Sequence, residues 1–211
     1  MDKLEAIGEE IREYLEIKNA ARDRALQQTR KIIRHCSRAI RAAHRDELDV
    51  CQEQLQGATD LIAMLKETLA EYPDLFHAGY TRSALREFVE ASILQALLAD
   101  DPLPSPKKLD VDYAAYLSGL GEAAGELRRR ILDILRHDKF AEAERLLDYM
   151  DEIYSLLVTI DFPDAITDNL RRTTDMVRGV TERTRGDLTT SFRQYELKMA
   201  LESVEKKLGA E

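Results

Sequence analysis

Proline decides most about how this chain can fold. Only five occur in 211 residues, at Pro73, Pro102, Pro104, Pro106 and Pro163. A proline removes a backbone donor and clashes with the preceding helical turn, so helices can run long only where it is missing. Within the proline-free segments, apolar residues recur at i, i+3, i+4 and i+7, and no stretch alternates with period two for long. This spacing predicts helices near 2–44, 47–71, 81–99, 111–136, 138–160 and 164–207. Tyr72-Pro73 closes the second helix. The connector PDLFHAGY leads to the third, with Thr81 or Ser83 as its cap. DDPLPSPKKLD, residues 100–110, is the clearest loop, and Asp161-Phe162-Pro163-Asp164 breaks the chain before the last helix. Long helices joined by short loops predict an all-α antiparallel bundle of about six to seven long helices, with residues 1–211 forming one domain.

Composition narrows the class. Hydrophobic residues make up 44% of the chain, enough for a packed core, and no apolar run approaches the 18 residues of a membrane span. Cys36 and Cys51 form no CxxC and read as small core residues of a reduced protein. The acidic, amphipathic start MDKLEAIGEEIREYLEIK is unlike a secretory or transit peptide, so a cytoplasmic location is expected.

Net charge is −9, yet it is unevenly spread. From Arg22 to Arg45 there are eight Lys/Arg and a single acid, Asp23, leaving the rest of the chain strongly acidic. A basic element on an acidic body focuses an anionic ligand onto one place. Arg30, Arg34, Arg38, Arg41 and Arg45 follow spacings of 4, 4, 3 and 4, which align them on one helical stripe, with Lys31, His35 and His44 beside it. Ile33, Cys36, Ile40 and Ala43 are expected on the opposite, apolar side. A solvated helix face usually mixes signs to gain i,i+4 pairs, and this one has no acid between Arg24 and Asp46. The guanidinium fork suits phosphate oxygens, so the stripe reads as a phosphate-backbone contact.

Two acid pairs follow. LREFVEAS carries Glu87 and Glu90 on one face, with Leu85, Phe88, Val89, Ser92, Ile93 and Ala96 as the apolar face. SGLGEAAGELRRR carries Glu122 and Glu126 four residues apart, among Gly119, Gly121 and Gly125. Each glycine costs a helix interior roughly 1 kcal/mol relative to alanine. The stripe from Tyr113 and Tyr116 through Leu120, Leu127 and Ile134 is the expected apolar face, and the glutamates lie opposite, in line with Ala115, Ser118 and Gly119. Small residues let a backbone approach closely. Hard cations such as Mg²⁺ take oxygen ligands, often one or two carboxylates plus water. Surface ExxE pairs also arise by chance, so spacing alone leaves a metal site and a solvated face both open. The four histidines make no HxxxH or ExxH pattern, and there is no phosphate-cradling glycine loop or nucleophile elbow.

The segments RALQQTRKIIRHCSRAIRAAHR, LREFVEASILQALL, DYAAYLSGLGEAAGELRRRILDIL and FPDAITDNLRRTTDMVRGVTERTRGDLT make the chain, from about residue 20 to 200, resemble the translin and translin-associated factor X family. DYxxxLxGLxExxGELRR is the most specific of these patterns. The resemblance implies an all-α bundle and, for the factor X-like chain, a Mg²⁺-dependent endoribonuclease of single-stranded RNA, with Mn²⁺ as an alternative ion. Glu87, Glu90, Glu122 and Glu126 match its catalytic, metal-binding acids. At Glu122 that chain carries Asp, one methylene shorter. The implied chemistry is a metal-activated water attacking a phosphodiester. Arg30, Lys31, Arg34, Arg38, Arg41 and Arg45 would track the nucleic-acid backbone, RNA first and single-stranded DNA second. The implied assembly is a hollow, octamer-like homo-oligomer, with a second, translin-like subunit left open. Two rivals stand beside this reading: a non-catalytic, translin-like binding protein, and an all-α Mg²⁺-dependent NTP pyrophosphatase. The arginine stripe and the i,i+4 spacing of the second acid pair suit the latter poorly.

Overall fold

The structure is a computed structural model that describes residues 2–208. Among the described residues there are nine helices and no strand: α1 (Asp2–His44), α2 (Leu48–Thr68), α3 (Pro73–Phe76), α4 (Gly79–Ala99), α5 (Pro106–Leu109), α6 (Tyr113–Leu135), α7 (Phe140–Val158), α8 (Asp164–Thr167) and α9 (Leu170–Leu208). Six of these are the expected long helices. The connector and the proline loop each contain one additional helical turn, α3 and α5, both opened by proline at the first helical position. The expected last helix is broken instead of continuous, because Asp168 and Asn169 both take positive φ between α8 and α9. No helix of the described residues is long and apolar enough to cross a membrane.

Every described non-glycine residue with positive φ is Asp or Asn: Asp46, Asp100, Asp110, Asp138, Asp168 and Asn169. Their short polar side chains tolerate the left-handed region at modest cost, and they sit where helices end. No described glycine has positive φ. The chain turns its corners with aspartate, so the glycines inside its helices need another explanation.

The residues group into two compact units, Met1–Gly119 and Leu120–Glu211, and α6 starts in the first and continues into the second. In the first unit, α1 and α2 form a hairpin and α4 packs on both. Its core draws on Ile32, Cys36 and Ala39 of α1, Cys51, Ile62 and Leu65 of α2, and Leu85, Val89, Ile93 and Leu94 of α4. On α1 it is Ile32 that is fully buried, while Ile33, expected on the apolar side, is half-buried. The proline loop is pinned rather than loose. Ser105 accepts a hydrogen bond from the Lys108 amide at 3.2 Å, the Tyr116 hydroxyl donates to the Pro104 carbonyl at 2.9 Å, and Lys66 binds Asp110. In the second unit, α7 packs along α9. Leu127, Ile131, Leu146, Met150, Val177 and Leu188 fill its core, and Arg128 bridges to Asp187 at 2.8 Å.

One stretch stays uncovered. Before Ala21, no described residue of α1 is buried. Leu4, Ile7, Ile11, Tyr14, Leu15 and Ile17 are all more than half exposed.

Candidate nucleic-acid and metal site

The second half of α1 is built by a clean division of faces. Ala25, Thr29, Ile32, Cys36, Ala39 and Ala43 are buried, which leaves Arg30, Lys31, Arg34, Arg38 and Arg41 exposed on the other side. Among the described residues no carboxylate pairs with any of these five side chains. Arg45 differs from its expected place in the stripe. It lies beyond the end of α1, and both arms of its fork are taken by Glu47, with N–O distances of 2.9 and 2.6 Å. His35 also leaves the stripe. Its Nδ1 is 3.0 Å from Gln54 Oε1, and the ring lies where a Cβ on Gly57 of α2 would meet it at 3.0 Å.

Glu87 and Glu90 are half-buried on α4, between the fully buried neighbours Phe88, Val89 and Ala91. Both carboxylates lie near the Cys36 thiol of α1. Burial, and then the charges of Glu87 and Glu90, hold that thiol protonated far above its ordinary range. Cys36 is therefore an inert core residue, as is buried Cys51. The first acid pair thus stands against the buried side of the helix whose outer side carries the arginines.

Glycine explains how α6 joins this arrangement. A Cβ on Gly119 would stand 2.6 Å from both the Arg86 carbonyl oxygen and the Val89 Cβ, closer than real carbon atoms approach. Bare backbone of α6 therefore lies against the Arg86 carbonyl and the Val89 side chain of α4, on the turn that carries Glu87 and Glu90. Glu122 follows Gly119 by one turn of the same helix. Ala115, Ser118 and Gly119, read from sequence as a close-approach face, are all buried. Gly121 serves the second unit, where a Cβ would overlap Thr173 of α9. Of the expected apolar stripe on α6, Tyr113 is an exception and is 66% exposed.

Glu122 and Glu126 are half-buried, and a Glu126 oxygen lies 3.6 Å from the guanidinium of Arg129. Sequence reading passed over Arg129, although its i+3 position in ELRRR was the available signal. Among the described residues no group of three or more His, Cys, Asp or Glu side chains is gathered to hold a metal ion. Each glutamate pair still supplies the donor set that Mg²⁺ uses when it keeps most of its waters: one or two carboxylates, partly shielded from solvent.

No family model matches the chain. An uncharacterised protein of Methanocaldococcus jannaschii is 35% identical over 200 residues, which span 94% of this chain and 88% of that protein. AfC3PO in complex with duplex RNA is 32% identical with a TM-score of 0.82, over 88% of this chain and 96% of that one. AfC3PO in a further crystal structure is likewise 32% identical, with a TM-score of 0.81 over 88% and 97%. Apo-NeC3PO, 21% identical with a TM-score of 0.78 over 88% and 96%, shares the fold. Helix order and backbone together define an all-α protein with the translin-type fold. The chain belongs to the translin/C3PO family.

Proposed function

We propose that this protein is a Mg²⁺-dependent endoribonuclease of single-stranded RNA that works as a hollow homo-oligomer. The observation that carries this reading is the seating of Gly119 on α4. It sets the start of α6 against α4 at the turn bearing Glu87 and Glu90. Mg²⁺ held by these residues would supply charge neutralisation and an acidified water. The protein's own part would be to hold Glu87 and Glu90 on α4, and Glu122 and Glu126 on α6, half-buried and so only partly hydrated.

Arg30, Lys31, Arg34, Arg38 and Arg41 would bind phosphates without reading bases, since no acid competes for them. AfC3PO has been captured with duplex RNA, which supports an RNA ligand here and makes a duplex the natural competitor in any binding assay. Assembly is supported by the uncovered apolar side of α1, from Leu4 to Ile17. The deciding experiment is incubation of labelled single-stranded RNA, duplex RNA and NTPs with Mg²⁺, with Mn²⁺ and with EDTA. Single-stranded RNA should be cut internally, only with metal, and no longer by the Glu90→Gln/Glu126→Gln variant.

A second reading, a non-catalytic RNA-binding protein, is favoured by the lack of any gathered three-residue ligand group among the described residues. It requires RNA binding that survives loss of all four glutamates and no metal-dependent product.

A further inference from the structure

In the first unit, α2, α4 and the proline loop enclose a cavity of about 430 Å³. That lies within the ordinary span of small-molecule sites, ~300–1,000 Å³. From α4 it is lined by the buried residues Phe88, Ser92 and Ala96 and by half-buried Gln95. The face of α2 adds Gln52, Gln56 and Thr59. The loop adds Asp101, Pro102, Pro104 and Lys108. The loop side is preformed. The Asp101 amide donates to the Ala96 carbonyl at 2.9 Å, and the Pro104 carbonyl accepts from the Tyr116 hydroxyl at 2.9 Å. A ligand entering here meets walls that need little further ordering.

The polar groups of this lining are mostly acceptors. The Ser92 hydroxyl donates to the Phe88 carbonyl at 2.7 Å and the Thr59 hydroxyl to the Leu55 carbonyl at 2.9 Å. Each hydroxyl oxygen therefore has only lone pairs left to offer. Gln56 commits its amide nitrogen to Asp60 at 2.8 Å, which leaves its carbonyl oxygen unused. Asp101 adds a carboxylate, which accepts only. Lys108 is the one cation of the lining, and Gln52 and Gln95 can serve in either role. Among the described residues, the side chains of Gln52, Gln95, Asp101 and Lys108 have no hydrogen-bond or ion-pair partner.

This inventory selects a ligand. One carboxylate and one ammonium cancel, so the lining favours neither a phosphate nor a metal cation. A wholly apolar ligand would strip water from the acceptors and replace none of its hydrogen bonds. What answers the lining is an uncharged group with flat apolar faces and N–H donors on its edge. A nucleobase with an exocyclic amino group has both: a face that stacks on apolar and aromatic surface, and two N–H donors.

We propose that this cavity binds an amino-bearing nucleobase, as in adenine or cytosine, and discriminates against the carbonyl-bearing counterpart. The site uses none of the four glutamates and none of the α1 arginines, so it stands or falls apart from the endoribonuclease reading. The base can belong to a free nucleoside or to a bound strand, and the same chemistry recognises both.

The test is calorimetric titration of the full chain in EDTA, where metal-dependent cleavage plays no part. Adenosine should bind about tenfold more tightly than inosine, which carries a carbonyl oxygen in place of the amine, and cytidine should exceed uridine likewise. The second arm compares short oligomers of the same paired bases. Gln52→Trp, at an exposed helix position, should fill the cavity and abolish nucleoside binding without lowering the melting temperature. Should it melt lower, Asp101→Asn decides instead. That variant keeps the side chain's size but replaces an acceptor by a donor, so adenosine and inosine should bind within about twofold of each other. Arg34→Ala/Arg38→Ala/Arg41→Ala should leave nucleoside binding unchanged. Selectivity among free nucleosides alone assigns the cavity to a free ligand. Selectivity that extends to the oligomers and disappears in the cavity variants assigns it to a base of bound RNA. Failure to bind in both arms, or equal affinity within each pair, would overturn the proposal. So would a preference that survives both Gln52→Trp and Asp101→Asn, because the base would then be read elsewhere.

Discussion

The chain has two arginine-rich helical stretches, and they differ in what their arginines already bind. On α9, six arginines lie between Arg171 and Arg193, and four of them are held by carboxylates: Arg171 by Asp161, Arg178 by Glu182, Arg185 by Asp151 and Arg193 by Glu196. On α1, Arg30, Lys31, Arg34, Arg38 and Arg41 have no carboxylate partner among the described residues. Exposure is alike in the two, so the count of arginines does not separate them. What separates them is whether an acid stands within reach. Arginines already paired have little left to offer a phosphate, and forming a new contact means breaking an old one. Those on α1 would give up only bound water and counterions to a phosphate, and release of RNA's condensed counterions would favour the exchange.

The largest effect is expected from removing the unpaired set. Arg34→Ala/Arg38→Ala/Arg41→Ala should lower RNA affinity about a thousandfold at low salt, if each charged contact is worth about 1.5 kcal/mol. The slope of log K against log salt should shrink by roughly 2, about 0.7 per lost contact on a single strand. Loss should be similar for every sequence tested, and a loss confined to some sequences would show that the stripe reads bases.

The next effect concerns the other side of α1, where Glu87 and Glu90 face Cys36. If the four glutamates converge on a cation, Mg²⁺ at ~100 times Kd adds about 2.7 kcal/mol to wild-type stability. That corresponds to roughly 5–10 °C in melting temperature for a domain of this size. Glu90→Gln/Glu126→Gln should abolish the shift and, in EDTA, melt higher than wild type, because two repelling charges are gone. Equal Mg²⁺ responses in the two proteins would mean four separate surface acids.

A smaller gain tests whether pairing is what silences an arginine. Glu47→Gln releases the fork of Arg45 and extends the α1 stripe by one member, so RNA should bind a few-fold tighter and the salt slope should rise by about 0.7. No gain would place Arg45 outside the RNA path. The smallest effect belongs to α9. Arg178→Ala/Arg185→Ala should leave RNA affinity within about twofold and stability nearly unchanged, as expected for exposed pairs. A large loss of affinity would erase the distinction between the two helices.

Much of this molecule is written in one dimension. The first helix was expected at 2–44 and spans Asp2–His44, because helical periodicity without proline is a local property. The proline loop, the residue types of both acid pairs and the arginine register are equally local. The break at Asp168-Asn169 was missed because consecutive left-handed residues are a backbone choice that composition permits but does not demand. Ile32 took the buried place expected of Ile33 because one helical step is 100°, and only the partner helix decides which neighbour is covered. The same holds for the glycines. Sequence says that Gly119, Gly121 and Gly125 each cost the helix something. Only tertiary structure says that the first meets α4, the second meets α9 and the third meets open space. It also decided that Arg45 is bound and Arg41 is not, since an ion pair depends on where a chain places an acid in space and not on how many acids it contains.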